Sequence, residues 1–261
     1  KETVILLHGG PGVPDGMSPI AVWLADHYQI IQFHQRGTAK SPCRDNRFTM
    51  ESYISDIESI AEYFNIEKFH LFGHSWGGVY AQIYAHRHPE RLLSIFLCSS
   101  GGGTGRHWRQ TMIDIAVYNK TRSTTSEWLQ LCFHSALGLF GSTYSYRQQF
   151  RQLAINFNKG FRTPSRVPFQ VEAVRARPII PTMVAILRHP VLPVVINPSY
   201  KVTIVYGEHD SITKSRSYVK ARYPDARYVI IPWSGHFPWL HNETDFRVCF
   251  REHFVNVPQD R

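Results

Sequence analysis

Residues 73–78 read Gly73-His74-Ser75-Trp76-Gly77-Gly78, and this hexapeptide limits the possible folds more than any other stretch of the chain. It is a G-x-S-x-G pattern with an apolar run, 69–72, before it and helix-forming residues, 79–86, after it. A serine on so sharp a strand-to-helix turn sits at strained backbone angles, and side chains two before and two after it would clash. Gly73 and Gly77 meet that demand, and Gly78 lets the helix pack close to the sheet. The pattern therefore predicts a nucleophile elbow at the C-terminal end of a buried strand. The rest of the chain agrees in kind. Short apolar runs at 3–7, 28–33, 69–73, 92–99, 202–206 and 228–231 alternate with helical patterns. Helices are expected at 50–64, with Thr49 as N-cap, and at 244–254, and further helical stretches at 108–119, 126–139 and 144–156. Strands alternating with helices imply an α/β fold with a mostly parallel sheet and helices on both faces.

A serine hydroxyl is a weak nucleophile and needs a general base, which in turn needs an orienting carboxylate. In nucleophile-elbow folds the chain order is serine, acid, histidine. The strand at 202–206 runs into Gly207-Glu208-His209-Asp210, and the strand at 228–231 is followed by Ser234-Gly235-His236-Phe237. Ser75, Asp210 and His236 thus fall in the required order, each just past a strand, with Glu208 as the fallback acid. Acyl transfer also creates an oxyanion that needs two backbone donors. The N–H groups of Trp76 and Gly10 are the expected pair, with Gly9 beside them in the loop His8-Gly9-Gly10-Pro11-Gly12. His8 and Arg36 are expected to brace these loops. Trp76, Gly9 and Phe237 are expected to contact substrate, and Trp108, Trp128, Phe133 and Phe140 could roof the pocket.

His8-Gly9-Gly10-Pro11-Gly12, Gln35-Arg36-Gly37 and the elbow together resemble the proline iminopeptidase family of α/β-hydrolases, and the similarity extends through 207–210 and Ser234-Gly235-His236. The resemblance implies an α/β-hydrolase core at 1–100 and 200–261 with an inserted helical cap at 101–199. It implies that Ser75 attacks, His236 is the base and Asp210 orients it. The implied reaction releases an N-terminal residue, often proline, from a peptide or amide. The chain departs from the family at His34, where an aspartate usually precedes Gln-Arg-Gly, and at Ala39, where a second glycine usually stands. In that family cap acids hold the substrate's ammonium group, whereas 101–199 contains only Asp114, Glu127 and Glu172 as acids. A carboxylesterase or lactonase acting on an anionic or apolar substrate is a second reading, and an inactive binding protein of the same fold is a third. Haloalkane dehalogenases and epoxide hydrolases need an aspartate where Ser75 stands.

The net charge of +9 is uneven: 101–199 holds twelve Lys and Arg against three acids, while the remainder is balanced. Such a surface suits an anionic substrate or an acidic surface. No helix-turn-helix, zinc or RNA-binding signature accompanies it, so no nucleic-acid partner is expected. The apolar stretch 178–198 carries five prolines and the pair Arg188-His189, so no stable membrane insertion is expected. Four cysteines without metal-ligand spacing imply no metal site and a reduced, cytoplasmic protein. No cofactor is expected, and the partner is a small-molecule or short-peptide substrate. Related folds carry two strands ahead of the first one here, so trimming of that part is expected.

Overall fold

Strand β1 (Thr3–Leu7) and β3 (Phe69–His74) lie side by side at the centre of the molecule, with Leu7 opposite Gly73. Around them stand β2 (Gln29–Gln32), β4 (Leu92–Cys98), β5 (Lys201–Gly207) and β6 (Arg227–Ile231), giving a fully parallel sheet of order β2-β1-β3-β4-β5-β6. The computed structural model describes residues 1–13, 16–161 and 169–254. Residues 14–15 and 255–261 of the expected core and 162–168 of the expected cap lie outside the described residues. Chain direction across the sheet reverses between β1 and β3. In open parallel sheets the crevice beyond the strand C-termini at such a switch point is where ligands bind. The His8-to-Gly12 loop and Ser75 both emerge there.

Side chains alternate across each strand, which sorts the core into two layers. Ile5, Leu7, Leu71, Ile95, Leu97 and Ile204 pack under α2 (Met50–Tyr63), α3 (Trp76–Arg87) and α8 (Arg216–Arg222). Val4, Leu6, Phe72, Phe96 and Val205 pack under α1 (Ser18–Leu24) and α10 (Glu243–Phe254). Thr49 does cap α2, its hydroxyl accepting from the Ser52 N–H. Sequence periodicity did not announce α1 or α8. Each is only seven residues long, about two turns, too short for an apolar stripe to repeat.

Four helices stand between β4 and β5: α4 (Arg106–Arg122), α5 (Thr125–Leu139), α6 (Thr143–Asn158) and α7 (Ile179–Arg188). Thr124 and Glu127 form a reciprocal capping box that starts α5. Pro181 sits in the first turn of α7, where a missing N–H costs no helical hydrogen bond. Two buried polar contacts tie these helices down. The Tyr53 and Thr182 hydroxyls lie 2.8 Å apart, and Asp114 accepts from both the N–H and the hydroxyl of Ser215, each at 2.7 Å. The short α9 (Pro238–His241) precedes α10. No helix among the described residues is long and apolar enough to cross a membrane.

Candidate active site

Ser75 sits between β3 and α3 at φ 55° and ψ −116°, a conformation that costs a non-glycine residue about 1–3 kcal/mol. Surrounding hydrogen bonds hold it there. Its N–H donates to the Cys98 carbonyl, and its own carbonyl accepts from the N–H groups of Gly78 and Gly101 at 3.0 and 3.2 Å. The glycines are demanded by close approach: a methyl on Gly77 would lie 2.0 Å from the Leu7 carbonyl oxygen, and one on Gly73 2.5 Å from the Gly77 carbonyl oxygen. The elbow is thus wedged against β1.

His236 Nδ1 lies 2.9 Å from Asp210 Oδ1, and both side chains are almost wholly buried. A carboxylate only accepts, so Nδ1 carries the proton and Nε2 of the neutral ring is left bare. Asp210 Oδ1 also accepts from the Ile212 N–H at 3.0 Å. Burial acts to raise the Asp210 pKa. The charge and hydrogen bond of His236, with the Ser99 hydroxyl and the Ile212 N–H, outweigh burial and hold the carboxyl below its ordinary range. Ser211 adds a hydroxyl 3.3 Å from His236 Nδ1.

His74 is the residue that sequence reasoning passed over. Its ring is fully buried, 4.9 Å from the His236 ring, and its Nε2 lies 2.9 Å from the His236 carbonyl oxygen. A carbonyl only accepts, so His74 donates and thereby fixes the backbone that carries His236. Burial first, and then the neighbouring His236 charge, push its pKa down to about 3. The only signal in the sequence was its place one residue before the elbow serine.

The loop after β1 brings glycine backbone against this group. Gly10 has φ +56°, and the Val13 N–H closes the turn on its carbonyl. A methyl on Gly9 would stand 3.2 Å from Ser75 Cβ. Trp76 is the first residue of α3, so the helix makes no use of its amide. Gln35 links the pieces: its side-chain amide donates to the His8 carbonyl at 2.9 Å, and its Oε1 accepts the Trp76 indole N–H at 2.8 Å. His8 Nε2 accepts the Gln35 N–H, which leaves Nδ1–H to donate to the Gly9 carbonyl. Arg36 is turned away from the serine, bonded to Asp56 and to the carbonyls of Arg47 and Ser52.

Ser75, His236, Gly9, Gly10, Trp76 and Phe237 all line one cavity of about 620 Å³, with Asp210 behind His236. The opposite wall comes from α4 to α7. Trp108 and Trp128 face the cavity as expected, whereas Phe133 and Phe140 lie on the outside, 60% and 89% exposed. Glu208 is exposed and accepts from the Trp233 N–H, apart from His236. None of the described lining residues carries a formal charge, so the described lysines and arginines of 101–199 do not lie on these walls. Among the described residues there is no cluster of His, Cys, Asp and Glu that could hold a metal.

A family model for the alpha/beta hydrolase fold matches residues 2–242. Proline iminopeptidase of Lactobacillus helveticus is 36% identical over 106 residues, 38% of this chain and 36% of that protein. The enzyme of the same name from Neisseria gonorrhoeae is 32% identical over 139 residues, 46% of this chain and 44% of that protein. The chain spans less than half the length of the curated relatives it matches. Among solved structures, VinJ superposes with a TM-score of 0.71 at 19% identity, over 99% of this chain and 91% of that one. Proline iminopeptidase of Mycobacterium smegmatis superposes with a TM-score of 0.65 at 22% identity, over 97% and 89%. At such identities the structural likeness speaks for the fold.

Proposed function

The chain belongs to the alpha/beta hydrolase fold family, and on that footing we propose that it is a serine hydrolase that cleaves a carboxylic ester or amide through an acyl-enzyme on Ser75. The observation that carries this reading is the buried His236–Asp210 pair, 2.9 Å apart, on the cavity that also holds the strained serine. His236 Nε2 takes the Ser75 proton as Oγ attacks the substrate carbonyl. The Gly10 and Trp76 amides receive the oxyanion. The carbonyl–leaving-group bond breaks as His236 returns the proton to the departing alcohol or amine. Water, deprotonated by His236, then attacks the acyl carbon. The Ser75 Oγ–carbon bond breaks, Oγ regains its proton, and the free acid leaves. Asp210 keeps the imidazole in the required tautomer throughout. Residues 1–100 and 200–261 form the catalytic core of this reading, and α4 to α7 act as its cap.

Within this class, one observation favours an ester over an N-terminal aminoacyl substrate. The cap acids, which by family resemblance would hold an ammonium group, are engaged elsewhere. Asp114 is buried on Ser215, Glu127 caps α5, and Glu172 pairs with Arg151. None of the three lines the cavity. The likeness to proline iminopeptidases keeps aminopeptidase activity as the second reading.

The test is labelling with a small fluorophosphonate probe, which should modify wild type and leave Ser75→Ala unmodified. Asp210→Asn should lower kcat by about 10⁴-fold through the wrong tautomer. Undiminished labelling of Ser75→Ala, or wild-type turnover in Asp210→Asn, would remove the assignment. Hydrolysis of p-nitrophenyl butyrate in preference to proline p-nitroanilide separates the two readings.

A further inference from the structure

The cavity walls point to the part of the substrate that remains on the serine. Met112 and Ile115 of α4, Leu131 of α5, Leu153 of α6, and Ile180 and Met183 of α7 face it. These six come from four separate helices, and none offers a hydrogen bond to a ligand. Methionine side chains are unbranched and adapt to chains of varied shape. A volume of about 620 Å³ is room for about twenty waters at some 30 Å³ each. Water held between such walls is released when a hydrocarbon enters, and that release is the driving force for binding. A substrate reduced to one small ring would leave most of this space unfilled.

We infer that the space under α4 to α7 is a binding site for an uncharged apolar acyl chain, and that the enzyme's substrates are carboxylic esters carrying such a chain on the acyl side. The inference rests on the serine-hydrolase reading and adds the substrate class. The acyl side follows from the order of events. The alcohol leaves in the first step, whereas the acyl group stays bonded to Ser75 until water releases it. Contacts to the acyl chain lower the barrier of both steps, and contacts to the alcohol lower only the first.

Two ester series test this. With p-nitrophenol held constant, acyl chains from acetate through butyrate and octanoate should raise kcat/KM at least tenfold. The ceiling is about fourfold per methylene, the equivalent of about 0.8 kcal/mol. With the acetyl group held constant, lengthening the alcohol should change kcat/KM less than threefold. Ala136→Trp, on the lining face of α5, should move the optimum to shorter chains, and an unmoved optimum would overturn the chain site.

A binding readout needs no turnover. Cys132 lines the cavity and is exposed, whereas Cys43, Cys98 and Cys249 are buried. In Ser75→Ala, alkylation of Cys132 by N-ethylmaleimide should slow several-fold with 2-decanone and not with prolinamide. Labelling of Ser75 with a flat acyl series, or with protection by prolinamide alone, overturns the chain site and leaves the hydrolase standing. Protection by 2-decanone in a protein that turns over no ester supports the chain site and overturns the hydrolase reading.

Discussion

Acid should weaken this fold through His74, by an amount its burial sets. In an unfolded chain a histidine takes up its proton below about pH 6.5. In the fold His74 does so only near its depressed pKa of about 3. Between those values the unfolded state binds one proton more, so stability falls as pH falls, by about 1.4 kcal/mol per unit, until the folded pKa is reached. At pH 4.5, two units below the unfolded value, the loss from this one residue is about 2.7 kcal/mol. Half-buried His241, its pKa pushed down to about 4, and buried His253 act in the same direction, so a comparison must isolate His74. His74→Gln does so, because glutamine can still donate an N–H to the His236 carbonyl and does not titrate. Urea unfolding of both proteins at pH 7 and pH 4.5 gives four free energies. The wild type should lose about 2–3 kcal/mol more than the variant between the two pH values. Equal losses in the two proteins would refute the buried neutral histidine.

Three further outcomes follow from the geometry. Ser75→Gly should abolish turnover yet raise stability by about 1 kcal/mol, because glycine accepts φ 55° and ψ −116° without strain; an unchanged or lower Tm speaks against a strained elbow. Gly77→Ala should destabilise by about 3 kcal/mol or leave no soluble protein, since the added methyl would lie 2.0 Å from the Leu7 carbonyl oxygen; a wild-type urea midpoint would contradict that contact. Tyr53→Phe should cost about 1–2 kcal/mol by orphaning the fully buried Thr182 hydroxyl, and hydrogen exchange in α7 should accelerate; unaltered exchange there would mean the bond does not anchor the helix.

Much of the fold was legible because its rules are local. Parallel strands are covered on both faces, so β1, β3, β4 and β5 read as near-continuous apolar runs, and their bounds fell within two residues of expectation. The elbow was legible because a carbonyl 2.0 Å from a would-be methyl tolerates only glycine, and that constraint is written at fixed spacing from the serine. The order of Ser75, Asp210 and His236 could be read because each follows a strand at one rim of the sheet. Helices α1 and α8 escaped because about two turns do not establish a period.

What the sequence determined by itself is whatever steric necessity binds to neighbouring residues: the strands, the elbow and the residue types delivered to one edge. The tertiary structure alone decided which distant groups meet. It set the His74 donor against the carbonyl of a residue 162 positions away, and hung Trp76 from Gln35 across 41 positions. It also turned the uncharged faces of four helices toward Ser75 while the described lysines and arginines of the same segment lie off the cavity walls. Helical periodicity tells which residues share a face, but which face meets the core is settled only when the whole chain packs.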